Sequence, residues 1–242
     1  MIKDAWWLVL KELRFQRFTI LFTFLSTAFF AMLAAYYFKE AIIASKDEFI
    51  LHYILDIVFL LIMPNFVTLY TAGYYVDFRT MKEEPLRKQL LFYRTCPISL
   101  GTLTLSRSFK TLTLFFSQSL LFYAIFLILL SSMDPSILTL KLCLFLMFWL
   151  GCSLAIGSLI PYIEYGRSVK TIYKVYLLWI LLFLILRPVI TLIFDKGIAE
   201  LVWTVIPKTG FPLATASLII GCLSFYLWNR RLYQRFQTRD YL

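Results

Sequence analysis

Six runs of mostly apolar residues divide the chain: Phe18–Phe38, Phe49–Tyr75, Thr111–Ser131, Leu138–Ile160, Ile172–Phe194 and a shorter one, Phe211–Trp228. About 20 such residues let a helix cross the hydrocarbon core of a bilayer. Each run therefore predicts a spanning helix. Together they predict an all-α membrane protein in which residues 1–242 form one transmembrane domain, with no room for a soluble domain of ordinary size. The first run is too long for a cleavable signal peptide and has no small-residue cleavage site leading into a polar region. No internal repeat is evident.

Two shorter segments carry a helical pattern without the length to span. Near the start, Ile2, Trp6, Val9, Leu10 and Leu13 recur at the spacing of one helical face, with Lys3, Lys11 and Arg14 off it. This predicts an interfacial helix lying in the membrane plane, with Trp6 and Trp7 at headgroup level; its plainest role is to anchor the first span. Between Asp195 and Gly210, Ile198, Leu201, Val202 and Val205 mark one face of a short helix ending near Pro207. The segment, which also carries Lys196 and Glu200, is too apolar for a free loop. It is expected to be re-entrant or interfacial, since irregular backbone at membrane depth needs protein or water around it.

Composition and charge then set the surroundings. The chain is 61% hydrophobic and 16% charged, against roughly half and about a quarter in soluble domains, so lipid must cover most of its surface. A formal charge of +10 would suit nucleic acid, but the basic residues flank the spans. Anionic headgroups are the natural counter-charge, and no nucleic-acid partner is expected. Eighteen of the 24 Lys and Arg residues fall in four segments: the first 17 residues, the loop from Val76 to Lys110, the stretch from Arg167 to Lys174, and the tail after Trp228. The alternate loops hold only Lys39, Lys46, Lys196 and Lys208. By the positive-inside rule the richer face is cytoplasmic. This reading puts the chain in a bacterial cell membrane with both termini in the cytoplasm.

Catalytic groups are scarce. The sequence contains no GxxxxGK[ST], HExxH or GxSxG pattern, so no intrinsic ATPase or hydrolase activity is expected. Glu83-Glu84-Pro85-Leu86-Arg87 approaches the EExxxR signature of intramembrane prenyl-protein proteases. Its arginine comes one position early, and no later histidine is present to complete a metal site. Cys96, Cys143, Cys152 and Cys222 are scattered without a CxxC pair, which suits packing residues rather than metal ligands or disulfides.

The loop between the second and third spans is richer. Pro85 suits the first turn of a helix, and Glu83 and Glu84 favour its positive N-terminal end. Leu86, Leu90, Leu91 and Tyr93 then form an apolar stripe that stops before Pro97, with charges on both sides. Such a stripe points to a docking site for a partner more than to a simple solvated surface.

With the N-terminal LVLKELRFQR (Leu8–Arg17), the stretch EPLRKQLLFYRTCPISLGTLTLSRSFKTL (Glu84–Leu112) resembles the membrane subunit of type-2 ATP-binding-cassette exporters. The pattern there is a short helix, a Pro-Ile-Ser turn at Cys96–Ser99, and a basic residue, here Arg107, entering the next span. Six spans, cytoplasmic termini and an apolar segment before span six also fit, so the similarity covers most of the chain. The resemblance implies a permease that forms a transmembrane pathway with a second permease subunit, as a homodimer or heterodimer. It also implies cytoplasmic ATPase subunits that bind ATP and Mg in their own chains, leaving this chain without a cofactor. Glu83, Glu84, Leu86, Arg87, Leu90, Leu91 and Tyr93 would form the coupling helix seated in the ATPase. The other reading is a non-transporting immunity or scaffold protein that binds a peptide or another membrane protein.

Inside the membrane, ionisable residues are costly and so become candidates for function. His52 and Asp56 are four apart on one face of span two, and Arg187 precedes Pro188 in span five. At about 1.5 Å per residue, Asp56 and Arg187 reach a similar depth. The expectation is an Asp56–Arg187 ion pair with a structural or substrate-contacting role, while His52 reads as an interfacial residue. The substrate site is not marked in the sequence.

Overall fold

The computed structural model describes residues 1–43, 49–68, 93, 98–164 and 169–238. Among these, six helices are long and apolar enough to cross a membrane: Arg17–Ile43, Phe49–Val67, Leu100–Met133, Leu140–Glu164, Lys170–Phe194 and Phe211–Thr238. They are called spans 1 to 6. An N-terminal helix (Ile2–Phe15) precedes span 1, and a connecting helix (Ile198–Thr209) lies between spans 5 and 6. The chain is thus a multi-pass helical membrane protein. The N-terminal helix and the end of span 6 both pack on the start of span 3, at what is called the terminal face of the bundle; the opposite one is the far face.

Several boundaries move from where apolar runs alone put them. Span 3 starts at Leu100 rather than Thr111, because Ser99 Oγ accepts the Thr102 amide at 3.2 Å and caps a helix through the Ser/Thr/Arg-rich stretch. Span 6 runs to Thr238 rather than Trp228, and its polar-looking tail buries Leu232 and Phe236 against Leu103 of span 3. Arg235 holds that tail, donating to the Tyr162 carbonyl at 2.7 Å with its guanidinium 3.6 Å above the Tyr162 ring. In both places, tertiary contact carries the helix past the end of the hydropathy signal.

The described part of span 2 departs from regular helix. Its helix widens over Val58–Ile62, tightens over Met63–Val67 and gives way to extended backbone at Thr68. Pro64 is the cause, having no N–H to continue the ladder. Asn65 Nδ2 donates to the Leu61 carbonyl at 2.6 Å and so satisfies a group near the break. The remainder of the predicted run, to Tyr75, lies outside the described residues.

Each of the two short helices also turns a narrow face into the bundle. The N-terminal helix turns Ala5, Leu8 and Val9 into the protein, while Ile2, Trp6 and Trp7 stay exposed. The connecting helix buries Ala199, Val202 and Ile206.

Spans 2, 3 and 4 share an aromatic core. Phe59, Phe122, Phe126, Phe145 and Trp149 meet there, with Phe38 of span 1 packed edge-on to Phe126 and to Trp203 of the connecting helix. Offset and edge-to-face ring pairs of this kind add to what area burial alone supplies. Gln118 of span 3 joins three elements. It accepts from Thr27 Oγ1 of span 1 at 3.3 Å and donates to the Thr68 carbonyl at 3.2 Å.

Spans 4 and 6 approach most closely. A Cβ at Gly151 would stand 2.4 Å from the Ser217 carbonyl carbon, and one at Gly221 would stand 2.7 Å from the Gly151 oxygen. Ser224 Oγ donates to the Ala155 carbonyl at 2.9 Å on the same seam. Small residues let backbones meet where lipid offers no hydrophobic drive for association.

Gly221→Leu is therefore expected to lower stability by about 1–3 kcal/mol or more, the usual cost of overpacking, whereas Gly101→Ala, with its nearest atom 3.7 Å away, is neutral. Thermal unfolding of the purified protein in detergent checks this, and equal melting temperatures for the two variants would refute the close seam.

Candidate functional site

Two polar clusters stand out against the apolar bundle, one toward each face. The first is centred on Asp56, whose side chain is fully buried. Its Oδ1 accepts the Ala199 amide at 2.8 Å and its Oδ2 the Ile198 amide at 3.1 Å. These are the first amides of the connecting helix, and helix-initial N–H groups have no partner within their own helix. A carboxylate from span 2 thus caps a helix distant in sequence, where the helix dipole also favours negative charge.

Arg187 of span 5 completes the arrangement. Its Nε lies 3.4 Å from Asp56 Oδ2, and its side chain is 2% exposed. The guanidinium lies beside a stacked pair of span 2 aromatics, 4.3 Å from the Phe49 ring centre and 5.1 Å from that of Tyr53. The expected pair thus meets in space, and the amides of Ile198 and Ala199 are its unforeseen third member.

Gly197 precedes the connecting helix where it comes close to span 2. A Cβ there would lie 3.1 Å from His52 Cβ and 3.2 Å from Asp56 Oδ2. His52 Nδ1 is 3.3 Å from Glu200 Oε2, in a direction that does not make a hydrogen bond, and Lys196 Nζ is 3.5 Å from Glu200 Oε1. His52 therefore sits against the connecting helix. No group of three or more His, Cys, Asp or Glu side chains fit to hold a metal is found among the described residues.

The second cluster ties the N-terminal helix to the start of span 3. Glu12 follows Ala5, Leu8 and Val9 on the inward face, and its side chain is only 12% exposed. Arg107 Nη1 donates to Glu12 Oε2 at 2.6 Å and Lys110 Nζ to the same oxygen at 3.1 Å. Tyr93 Oη donates to Oε1 at 2.9 Å, and the Arg107 guanidinium lies 5.4 Å from the Tyr93 ring centre. Burial works against the Glu12 charge, but Arg107 and Lys110 outweigh it and bring the carboxyl down from 4.5 to about 2.

Of the coupling residues suggested by the sequence, Glu83, Glu84, Leu86, Arg87, Leu90 and Leu91 lie outside the described residues. Tyr93 is described, and its hydroxyl engages Glu12. Sequence reasoning passed over Glu12. The signal that marks it is position: it is the one acid on the stripe that carries Ala5, Leu8 and Val9.

The fold and these clusters define a class, a multi-pass helical membrane protein with a buried charged cluster toward each face. No family model, curated protein or solved structure matches the chain.

Two outcomes follow. Arg187→Leu alone should cost about 3–5 kcal/mol, as removing one partner of a buried pair does. Asp56→Asn with Arg187→Leu should cost clearly less, because asparagine keeps an acceptor for one of the two connecting-helix amides and leaves no bare charge. Unfolding in mixed micelles measures both, and a double variant as unstable as the single one would rule out the pairing. Glu12 predicts a pH effect. Its folded pKa is depressed, so its contribution is complete above about 4.5 and fades as pH falls toward 2. The stability gap between wild type and Glu12→Gln should close over that window; a gap constant from pH 7 to 2 would exclude the ion cluster.

Proposed function

We propose that the chain is the permease subunit of an ATP-binding-cassette exporter, working as a dimer of permease subunits in a bacterial cell membrane. Separate ATPase subunits would bind ATP and Mg on its cytoplasmic, cation-rich side. The observation that carries the reading is the Glu12 cluster, in which Tyr93, at the end of the suggested coupling segment, shares a carboxylate with Arg107 and Lys110 of span 3.

A permease driven from below needs a stiff path from the docked loop into the spans, since a slack loop absorbs displacement. Tyr93, Glu12 and Arg107 supply such a path in charge-assisted hydrogen bonds, which are shorter and stronger than neutral ones. Motion imposed on the segment Glu83–Tyr93 would reach span 3 directly and span 1 through the N-terminal helix. The connecting helix, held by Asp56, takes the place of the apolar re-entrant segment before span six. The apolar interior suits amphiphilic cargo such as lipids, peptides or hydrophobic antibiotics.

Purification of the tagged protein in mild detergent, followed by assay of bound ATPase activity, tests this. An ATPase should accompany the wild type and be lost from a Glu84→Lys/Leu90→Asp variant that stays monodisperse. A folded wild type that brings no ATPase with it would overturn the exporter reading in favour of a non-transporting immunity or scaffold protein.

A further inference from the structure

His52 is the one histidine of the chain, and it stands where a single proton changes a contact between helices. It lies three residues into the described helix of span 2, which begins at Phe49, a rise of about 4.5 Å. That places it near the far face. The residue is 9% exposed, and its Nδ1 is enclosed without a hydrogen-bond partner. Such an atom is uncommon, because a buried polar group left unpaired costs free energy. Nδ1 lies 3.3 Å from Glu200 Oε2 on the connecting helix. The two atoms are close enough to pair, but their bond directions are misaligned. The Glu200 side chain keeps 22% exposure, so water still reaches its carboxylate.

We infer that His52 and Glu200 form a proton-operated latch: protonation of His52 closes a charge-assisted hydrogen bond to Glu200 and tightens the connecting helix on span 2. The latch follows from the membrane fold and does not depend on the exporter reading. A neutral imidazole gains little by realigning toward a hydrated carboxylate. An imidazolium gains a bond roughly twice as strong as a neutral one, and a small turn of either side chain supplies the alignment. Histidine is the side chain that ordinarily changes charge between pH 5 and 8.

The neighbouring charges are already matched to one another. On the connecting helix, Lys196 Nζ sits 3.5 Å from Glu200 Oε1 and leaves Oε2 to His52. On span 2, Asp56 is one turn further along and is paired with Arg187 of span 5, which also lies against Tyr53. The end of span 1 packs on the start of span 2 and brings Lys39 and Glu40. Among the described residues, Glu200 is the acid within ion-pair distance of His52. Lys46, Asp47 and Glu48, between spans 1 and 2, lie outside the described residues. The connecting helix therefore has two attachments to span 2. Asp56 holds its first amides, of Ile198 and Ala199, and His52 adds Glu200 when protonated.

Hydrogen exchange of the full chain in detergent micelles tests the latch. Exchange is read at residues 201–204 by mass spectrometry at pH 5 and pH 8, corrected for intrinsic rates. Protection there should rise severalfold from pH 8 to pH 5 in the wild type. Glu200→Gln and His52→Gln, which both keep Asp56, should show no such rise. The ring resonances of the single histidine report its charge directly, and the midpoint of the protection change should coincide with their titration. Equal wild-type protection at the two pH values would overturn the latch. A rise that survives in either variant would overturn it too, since it would then belong to Asp56 or another group. So would a midpoint displaced from the histidine titration. Should Glu200→Gln not fold, His52→Gln decides alone.

Discussion

A carboxylate removed from water must be matched at close range, and much of the far half of this protein is arranged around meeting that need for Asp56. Desolvation of a charge is recovered only with good geometry and further hydrogen bonds. Asp56 has both: two backbone amides at 2.8 and 3.1 Å and a guanidinium nitrogen at 3.4 Å. These contacts fix where the connecting helix begins, which face it buries and how deep span 5 sits against span 2. They also leave little room at Gly197, where a Cβ would press on His52 and Asp56.

The Glu12 cluster solves the same problem at the terminal face with different parts. Its carboxylate receives two cations and a phenol rather than backbone amides, and it joins a surface helix to a span instead of capping a buried one. Between the two clusters the bundle is held by shape. Aromatic rings interlock spans 2, 3 and 4, while Gly151 and Gly221 bring spans 4 and 6 to backbone contact. Stiffness is uneven as a result. Spans 2 and 4 are deeply packed and span 5 is tethered near its ends, so displacement of span 5 costs the least packing.

How much of this was legible in the sequence depended on the range of the interaction. Six spans were legible because crossing hydrocarbon is a demand on each segment by itself. The Asp56–Arg187 contact was legible because a lone charge at depth is costly and the two residues fall at matching depths. The start of span 3 was not, because Ser, Thr and Arg in LGTLTLSRSFK read as loop until Leu103 finds Leu232 and Phe236. Glu12 was missed for the same reason: on one helix it looks like a surface acid, and only span 3 brings the cations that bury it.

The sequence by itself determined the membrane class, the number of spans and which residues could not be left alone in lipid, since each follows from local hydropathy and the cost of an unpaired charge. Tertiary structure alone decided that the partner of Asp56 includes the amides of Ile198 and Ala199, that the N-terminal helix turns Glu12 inward, and that span 5 is the least buried of the six. Those outcomes depend on which helix ends and faces meet, and a carboxylate carries no mark of whether it will find an amide, a cation or water until the helices have packed.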